Sequence, residues 1–306
     1  MGGPGHVAIL MATRNGARHL GQQLDSILAQ SHRDWSLWIS DDGSDDATPA
    51  ILADWQRRHP GRIHLRAGPG RGAAANFLSL LTDPAIAADH VALADQDDVW
   101  LPGKLARALA RLGRLPAGPV LYAARTRIVD EDLRPLGLSP LRRRPPGFRN
   151  ALVQSLAGGN TMVLNGAARA LVCRAPAVEP VSHDWWLYQL LTGAGAHVLY
   201  DPEPVLLYRQ HGGNQHGANR GGRARLSRLG RLLGGTLADW NARNIAALGA
   251  CRHLLTAPAR ADLDRFARIA GRAGPLAAAR LAASGIHRQS REETLALWLA
   301  ALAGRF

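Results

Sequence analysis

Residues 91–100 read VALADQDDVW, and few backbones accept that order of residues. The apolar run Val91-Ala92-Leu93-Ala94 has the length and character of a buried strand. It breaks directly into Asp95-Gln96-Asp97-Asp98. These carboxylates cannot continue a core, because burying an unpaired carboxylate is very costly. Asp95 and Asp97 are two apart, so on an extended backbone both point the same way. Carboxylates converging at a strand end suit a hard cation, Mg²⁺ or Mn²⁺, that also takes phosphate oxygens. A solvated acidic turn capping the next helix is the competing reading.

The residues before this stretch say where such a strand end would sit. A continuous apolar run over 7–12 predicts a strand buried on both faces, followed by the turn Thr13-Arg14-Asn15-Gly16. A helix is predicted over about 19–30, with Leu20, Leu24, Ile27 and Leu28 on one face. A second strand over 35–40 ends in Asp41-Asp42-Gly43-Ser44-Asp45-Asp46. Asp46 or Thr48 can cap the following helix, with Pro49 in its first turn. A third strand over 63–66, a glycine loop over 68–72 and a helix over 73–81 lead into the strand at 91–94. Strand–helix alternation at this pitch predicts an α/β fold with a doubly wound, mostly parallel sheet. In such sheets ligands bind beyond the carboxyl ends of the strands. Thr13-Arg14-Asn15, Asp41-Asp42 and Asp95-Asp97-Asp98 all fall on that one rim.

The second half is less regular. A helix over 103–112 precedes strands over 120–124 and 127–130, then a Pro/Arg-rich loop over 138–149. A tight turn over 157–160 leads into the apolar residues 161–164. Ser182-His183-Asp184-Trp185-Trp186 opens a helix to about 191, and strands follow over 198–200 and 205–208. Arg209-Gln210-His211-Gly212-Gly213-Asn214 is a polar, glycine-rich segment. From about 223 onward the chain turns to Ala/Leu/Arg helices, with breaks expected at Gly234-Gly235, Pro258, Gly274-Pro275 and Gly285.

Composition narrows the function classes. The chain has 306 residues and is 46% hydrophobic, enough for a sizeable core and against wholesale disorder. Cys173 and Cys251 form no CxxC pair and read as small buried residues, which suits a reducing cytoplasm. The run at 7–12 is too short for a signal-peptide core, and no apolar run reaches the roughly 18 residues that span a bilayer. The net charge of +13 is carried by arginine, Lys104 being the only lysine. Such a charge raises a nucleic-acid-binding alternative. The chain lacks the aromatic-and-basic strand platforms of single-strand binders, and acidic rims repel phosphate unless a metal intervenes. A dinucleotide oxidoreductase is argued against by Thr13-Arg14-Asn15-Gly16 where a GxGxxG loop is needed.

The segments VAILMATRNGARHLGQQLDSILAQ, ISDDGSDDAT, ADQDDVW, HDWW and YRQHGGN occur in this order over about residues 5–216. Together they resemble family 2 glycosyltransferases of the GT-A fold, and most nearly a bacterial rhamnosyltransferase-like branch. The resemblance implies an inverting transfer of a hexose, with rhamnose favoured, from a dTDP- or UDP-sugar to a polysaccharide, O-antigen or glycolipid acceptor, with Mn²⁺ or Mg²⁺. It implies a catalytic domain over 1–220, with a nucleotide-binding half (1–100) and an acceptor-binding half (101–220), and a helical extension over 221–306.

Residue roles follow from the same resemblance. Asp97 would ligate the metal, Asp95 would contact ribose or the metal, and Asp98 would orient the donor sugar. His211 would be a further metal ligand and Arg209 a forked partner of the diphosphate. Asp41 or Asp42 would accept from the base or a ribose hydroxyl, with Thr13 and Asn15 beside the base. Arg71, otherwise a solvated arginine, would touch the nucleotide. Asp184 would be the catalytic base, at a helix start whose dipole favours a carboxylate. Trp185 and Trp186 would offer flat faces to the acceptor sugar, and Gly159 and Asn160 would line its site. Arg223, Arg225, Arg228 and Arg231, with leucines between them, form a basic amphipathic pattern suited to an anionic membrane surface or to a solvated helix face.

Overall fold

A computed structural model describes residues 5–210 and 236–306. His211, Gly212, Gly213, Asn214, the break at Gly234-Gly235 and the arginines at 223, 225, 228 and 231 lie outside the described residues. The first half is built of β1 (Val7–Thr13), β2 (Trp35–Asp41), β3 (Ile63–Ala67) and β4 (His90–Ala94). These are joined by α1 (Ala17–Leu28), α2 (Thr48–Arg58) and α3 (Ala73–Thr82). The strands lie in the order β3-β2-β1-β4, all parallel, as strand–helix alternation predicts. β1 is apolar throughout because both its faces are covered. Val7, Ile9 and Met11 pack with α1 and α2, while Ala8 and Leu10 pack against α3 on the other side.

The remaining strands are β5 (Val99–Trp100), β6 (Val120–Val129), β7 (Pro135–Leu138), β8 (Val163–Asn165) and β9 (His197–Arg209). β8 lies antiparallel between β4 and β6, β9 runs parallel to β6, and β5 closes the far edge against β9. β6 and β9 are each one strand where the sequence predicts two short ones. Their register shifts between Ala124 and Arg127, so Ala124 faces Asp201 while Arg125 faces Pro204. That irregularity accommodates Pro202 and Pro204, which a regular ladder would exclude. The arginine-rich loop begins as β7, a hairpin on β6, and ends in the short α5 (Phe148–Ala151).

The remaining helices are α4 (Lys104–Leu112), α6 (Gly166–Cys173), α7 (His183–Gly193), α8 (Thr236–Ala250), α9 (Ala257–Ile269), α10 (Pro275–Ala283) and α11 (Arg291–Leu302). α4 joins α1 and α2 on one face of the sheet. On the other face one apolar cluster runs from Leu10 and Leu93 through Trp186 and Leu190 to Leu248, Phe266 and Phe306. Pro258 opens α9 from its first turn rather than breaking a helix, where a missing N–H is tolerated. Cys251 is buried as expected, but Cys173 at the end of α6 is exposed. Among the described residues no helix is long and apolar enough to cross a membrane.

α1 does more than cover the sheet. Gln23 and Ser26 on its inner side and Gln30 just past its end are buried, and all three grip the segment after β4. The Gln23 amide donates to the Asp95 carbonyl (2.9 Å), and Ser26 Oγ accepts from Trp100 N–H (2.9 Å). Gln30 donates to the Leu101 carbonyl (2.9 Å) and accepts from Leu105 N–H (3.1 Å). Gln30→Ala should therefore strand the buried Leu105 N–H, the Leu101 carbonyl keeping the Lys104 N–H (3.0 Å), and lower the unfolding free energy by about 1–3 kcal/mol, read by urea denaturation. Asp25→Ala, on the exposed side of α1, should change it little.

Candidate active site

The carboxyl ends of β1, β2 and β4 form one polar rim, as the sequence predicts. Thr13 ends β1 and donates from Oγ1 to Asp41 Oδ1 (2.9 Å). Asp41, half-buried at the end of β2, also accepts from Ser44 Oγ (2.6 Å) and Ser44 N–H (2.9 Å). Asn15 has a φ of 49°, a left-handed conformation that asparagine tolerates better than most residues. Its backbone N–H donates to Ser44 Oγ (2.8 Å) and its Oδ1 accepts from Asp45 N–H (3.0 Å). These contacts tie the turn after β1 to the turn after β2.

Asp42 is buried and works inward. Its carboxylate takes the N–H groups of Gly70 (2.7 Å) and Gly72 (2.8 Å), which folds the glycine loop against β2. A Cβ on Gly68 would lie 2.7 Å from Asp42 Oδ1 and 2.9 Å from the Asp41 carbonyl, so the approach needs glycine. Arg71 at the loop's tip is exposed and meets Glu179 at 3.5 Å.

The acidic segment after β4 is the centre of the rim. Carboxylate oxygens of Asp95, Asp97 and Asp98 lie within 4.8 Å of one another. Burial pushes the Asp95 carboxyl up to about 7, reinforced by the charges of Asp97 and Asp184 and opposed by Lys104. Burial also holds Asp98 well above the ordinary carboxylate range, with Asp95 and Asp97 adding to it. Asp98 Oδ2 accepts from the Asn160 amide (2.6 Å), while Asp98 Oδ1 is buried with no hydrogen-bond partner. An all-oxygen set of close carboxylates with an unpaired buried oxygen fits a hard divalent cation.

Gln96, between the first two acids, binds the Arg14 backbone in both directions, accepting from its N–H (2.9 Å) and donating to its carbonyl (3.0 Å). It also lies so close to Gly16 that a Cβ there would sit 2.3 Å from its Oε1. Arg209 is 2% exposed and reaches the same loop from β9. Its Nε donates to the Asp97 carbonyl (3.0 Å), and its other nitrogens to the Glu131 carbonyl and to Gln22 Oε1. The guanidinium expected to clasp a diphosphate is thus engaged in fixing the acidic loop.

The acceptor residues also need correction. Trp185 and Trp186 are 6% and 2% exposed. Trp185 donates to the Ala151 carbonyl (2.7 Å) and meets Trp240 edge to face, and Trp186 lies in the apolar cluster. They are core residues, because α7 is surrounded by helices and sheet rather than lying at the surface. Asn160 is buried beneath Asp98, where it supports an acid rather than lining an open site. Gly159 is needed for packing: a Cβ there would sit 2.3 Å from His183 Nε2. The His183 ring stacks on Phe77 at 4.0 Å, which seats the start of α7. Asp184 stands in that first turn, its Oδ1 accepting from Trp185 N–H (2.7 Å), with its charge bearing on Asp95.

The sequence reading missed Lys104, Gln96 and the polar face of α1. Lys104 is 1% exposed, donates to the Asn160 carbonyl (2.5 Å) and lies 3.2 Å from the centre of a Trp100 ring. Burial holds its pKa well below the ordinary lysine range, against the pull of Asp98 and Asp95. Gln23, Ser26 and Gln30 are legible in retrospect as polar residues interleaved with Leu20, Leu24 and Ile27 on the apolar side of a helix.

Burial and the crowding of these carboxylates make stability depend on pH. Because the folded-state pKa of Asp95 is raised to about 7, the fold binds that proton more tightly than the unfolded chain. This contribution to stability is present below the unfolded value of about 4 and is lost as pH climbs to about 7. Asp97→Asn removes one repelling charge and should raise the melting temperature in EDTA at pH 8. The same change should weaken the stabilisation that Mn²⁺ confers, read by thermal unfolding with and without the ion.

Comparison with known proteins identifies the family and the fold. The sequence profile of glycosyl transferase family 2 matches residues 8–172. The dTDP-rhamnosyl transferase RfbG of Shigella flexneri is 29% identical over 232 residues, 72% of this chain and 78% of that protein. Among solved structures, the mannosyltransferase PcManGT from Pyrobaculum calidifontis, in complex with GDP-Man and Mn²⁺, aligns with a TM-score of 0.53 at 20% identity. That alignment covers 98% of this chain and 86% of that one. S. aureus TarS 1-349 in complex with UDP-GlcNAc aligns with a TM-score of 0.53 at 14% identity, over 86% of this chain and 87% of that one. The fold is the GT-A fold expected from the sequence, and the chain belongs to glycosyl transferase family 2.

Proposed function

We propose that this glycosyltransferase is metal-dependent and inverting. In this reading it transfers a hexose from a dTDP- or UDP-sugar to a polysaccharide, O-antigen or glycolipid acceptor. The observation that carries the reading is the acidic group of Asp95, Asp97 and Asp98 at the carboxyl end of β4, with Asp184 at the start of α7 near enough for its charge to bear on Asp95. Rhamnose as the sugar and dTDP as its carrier rest on the similarity to the Shigella protein. A nucleic-acid-binding alternative finds an acidic rim where it needs a basic one. Residues 1–100 serve as the nucleotide half, 101–220 as the acceptor half and 221–306 as a helical extension. The site works from the cytoplasm, with the arginines of 223–231 touching an anionic membrane.

In this mechanism Asp97 and Asp95 would hold Mn²⁺ or Mg²⁺, with His211 as a further ligand. When bound, the cation would neutralise charge on the departing diphosphate. Asp41, half-buried at the rim, meets the base or ribose, while Asp42 shapes the glycine loop that carries Arg71. Thr13 and Asn15 fix the wall beside the base. Asp98, its Oδ1 buried without a hydrogen-bond partner, adds a third carboxylate to the acidic group and would orient the donor sugar. Asp184 takes the proton from the acceptor hydroxyl as that oxygen attacks the anomeric carbon opposite the diphosphate, which inverts the centre. It stands in the first turn of α7, where the helix dipole favours an acidic side chain.

Calorimetric titration with dTDP, UDP and GDP, each with Mn²⁺ and with EDTA, tests the donor half. Binding of one pyrimidine diphosphate that requires the metal and is lost in Asp97→Ala is the expected result. No metal-dependent binding of any of the three overturns it. Asp184→Asn should keep that nucleotide binding while lowering the transfer rate by about 10²–10⁴-fold, as removal of a general base does. Unchanged transfer would take Asp184 out of the mechanism.

A further inference from the structure

Lys104 is the one lysine in a chain with 37 basic residues, and it is not at the surface. It opens α4 directly beneath the acidic loop. Its ammonium lies 3.2 Å from the centre of a Trp100 ring and donates to the Asn160 carbonyl at 2.5 Å. Asn160 in turn donates from Nδ2 to Asp98 Oδ2 at 2.6 Å. A chain of contacts therefore runs from Trp100 through Lys104 and Asn160 to Asp98, and Asp98 is 0% exposed with Oδ1 unpartnered. Each link constrains the next. Trp100 is itself pinned by Ser26, and the short helical turn over Gly159–Thr161 is seated by the His183 ring packed against Gly159.

We propose that Lys104 is a positioning residue for the acidic group: through Asn160 it fixes the Asp98 carboxylate with one oxygen turned free, and so sets how firmly Asp95, Asp97 and Asp98 take a divalent cation. A compact ammonium suits this place. It directs an N–H at a carbonyl and rests its charge on an indole face. The inference rests on the acidic group being the cation site. Its effect is that of an outer residue that orients a ligand, where loss typically weakens metal affinity about 10- to 100-fold.

The experiment is a Mn²⁺ titration of the full chain, without nucleotide, followed by calorimetry and by the electron paramagnetic resonance of free Mn²⁺. Wild type, Lys104→Met, Asn160→Ser, Asp98→Asn and the two double variants with Asp98→Asn are compared, with melting temperatures recorded for each. Lys104→Met and Asn160→Ser are each expected to weaken Mn²⁺ binding about 10-fold or more. Neither should weaken it further once Asp98 is Asn, because both act through that carboxylate. A fall in melting temperature with unchanged Mn²⁺ affinity would make Lys104 a purely structural residue and overturn the proposal. Tighter binding in Lys104→Met would also overturn it, by showing that the ammonium only repels the cation. If Lys104→Met does not fold, Asn160→Ser, which keeps the carbonyl that Lys104 binds, decides the question alone against Asp98→Asn. Absence of Mn²⁺ binding in wild type would sink the cation-site reading itself, a result distinct from failure of the variants.

Discussion

Like-charge crowding at the end of β4 is the constraint around which this molecule is arranged. Asp95, Asp97 and Asp98 gather their oxygens in a small, poorly solvated volume, and burial lifts both Asp95 and Asp98 out of the ordinary carboxylate range. Such a loop cannot hold its own shape, because its side chains repel one another. Its shape is imposed from outside, through its backbone. Gln23 takes the Asp95 carbonyl, Arg209 the Asp97 carbonyl, Ser26 the Trp100 amide and Gln30 both Leu101 and Leu105. Side chains from α1, the turn after it and β9 thus spend their polarity on the loop's main chain and leave its carboxylates gathered with one another.

The same economy runs through the rest of the site. Gln96 stitches the acidic loop to the turn after β1, and Ser44 and Asn15 stitch that turn to the one after β2. Asp41 and Asp42 are adjacent in sequence yet opposite in use, since successive residues leaving a strand face opposite ways. Asp41 remains at the rim, whereas Asp42 folds the glycine loop behind it. Glycine appears where two parts of the rim touch: Gly16 against Gln96, Gly68 against Asp42, Gly159 against His183.

The sequence reading erred where a residue's chemical type suggests a ligand but its surroundings claim it first. Arg209 is well suited to a diphosphate, yet its donors meet the Asp97 and Glu131 carbonyls and Gln22. Trp185 and Trp186 suit a sugar ring, yet α7 is enclosed by α5, α8 and the sheet, so both are core. Asn160 follows two glycines and reads as an open turn, yet it is the polar floor under Asp98. Burial depends on which elements pack together, and local pattern does not report it. The polar face of α1 went unread for the same reason, since glutamines on a helix read as solvated until their backbone partners across 71 to 75 residues are known.

Local sequence by itself determined the α/β architecture of the first half, because unbroken apolar strands alternating with amphipathic helices have few other ways to bury their surface. It also determined that Thr13, Asp41 and the acids after β4 share one rim, because parallel strands put their carboxyl ends on one side. Tertiary structure decided the rest. It fused residues 120–129 and 197–209 into long strands across a register shift, drew α8–α11 onto the sheet's other face, and placed Lys104 beneath Asp98. Those outcomes depend on contacts between residues far apart in the chain. Their energies come from mutual burial and shared hydrogen bonds, which exist only once the partners have met.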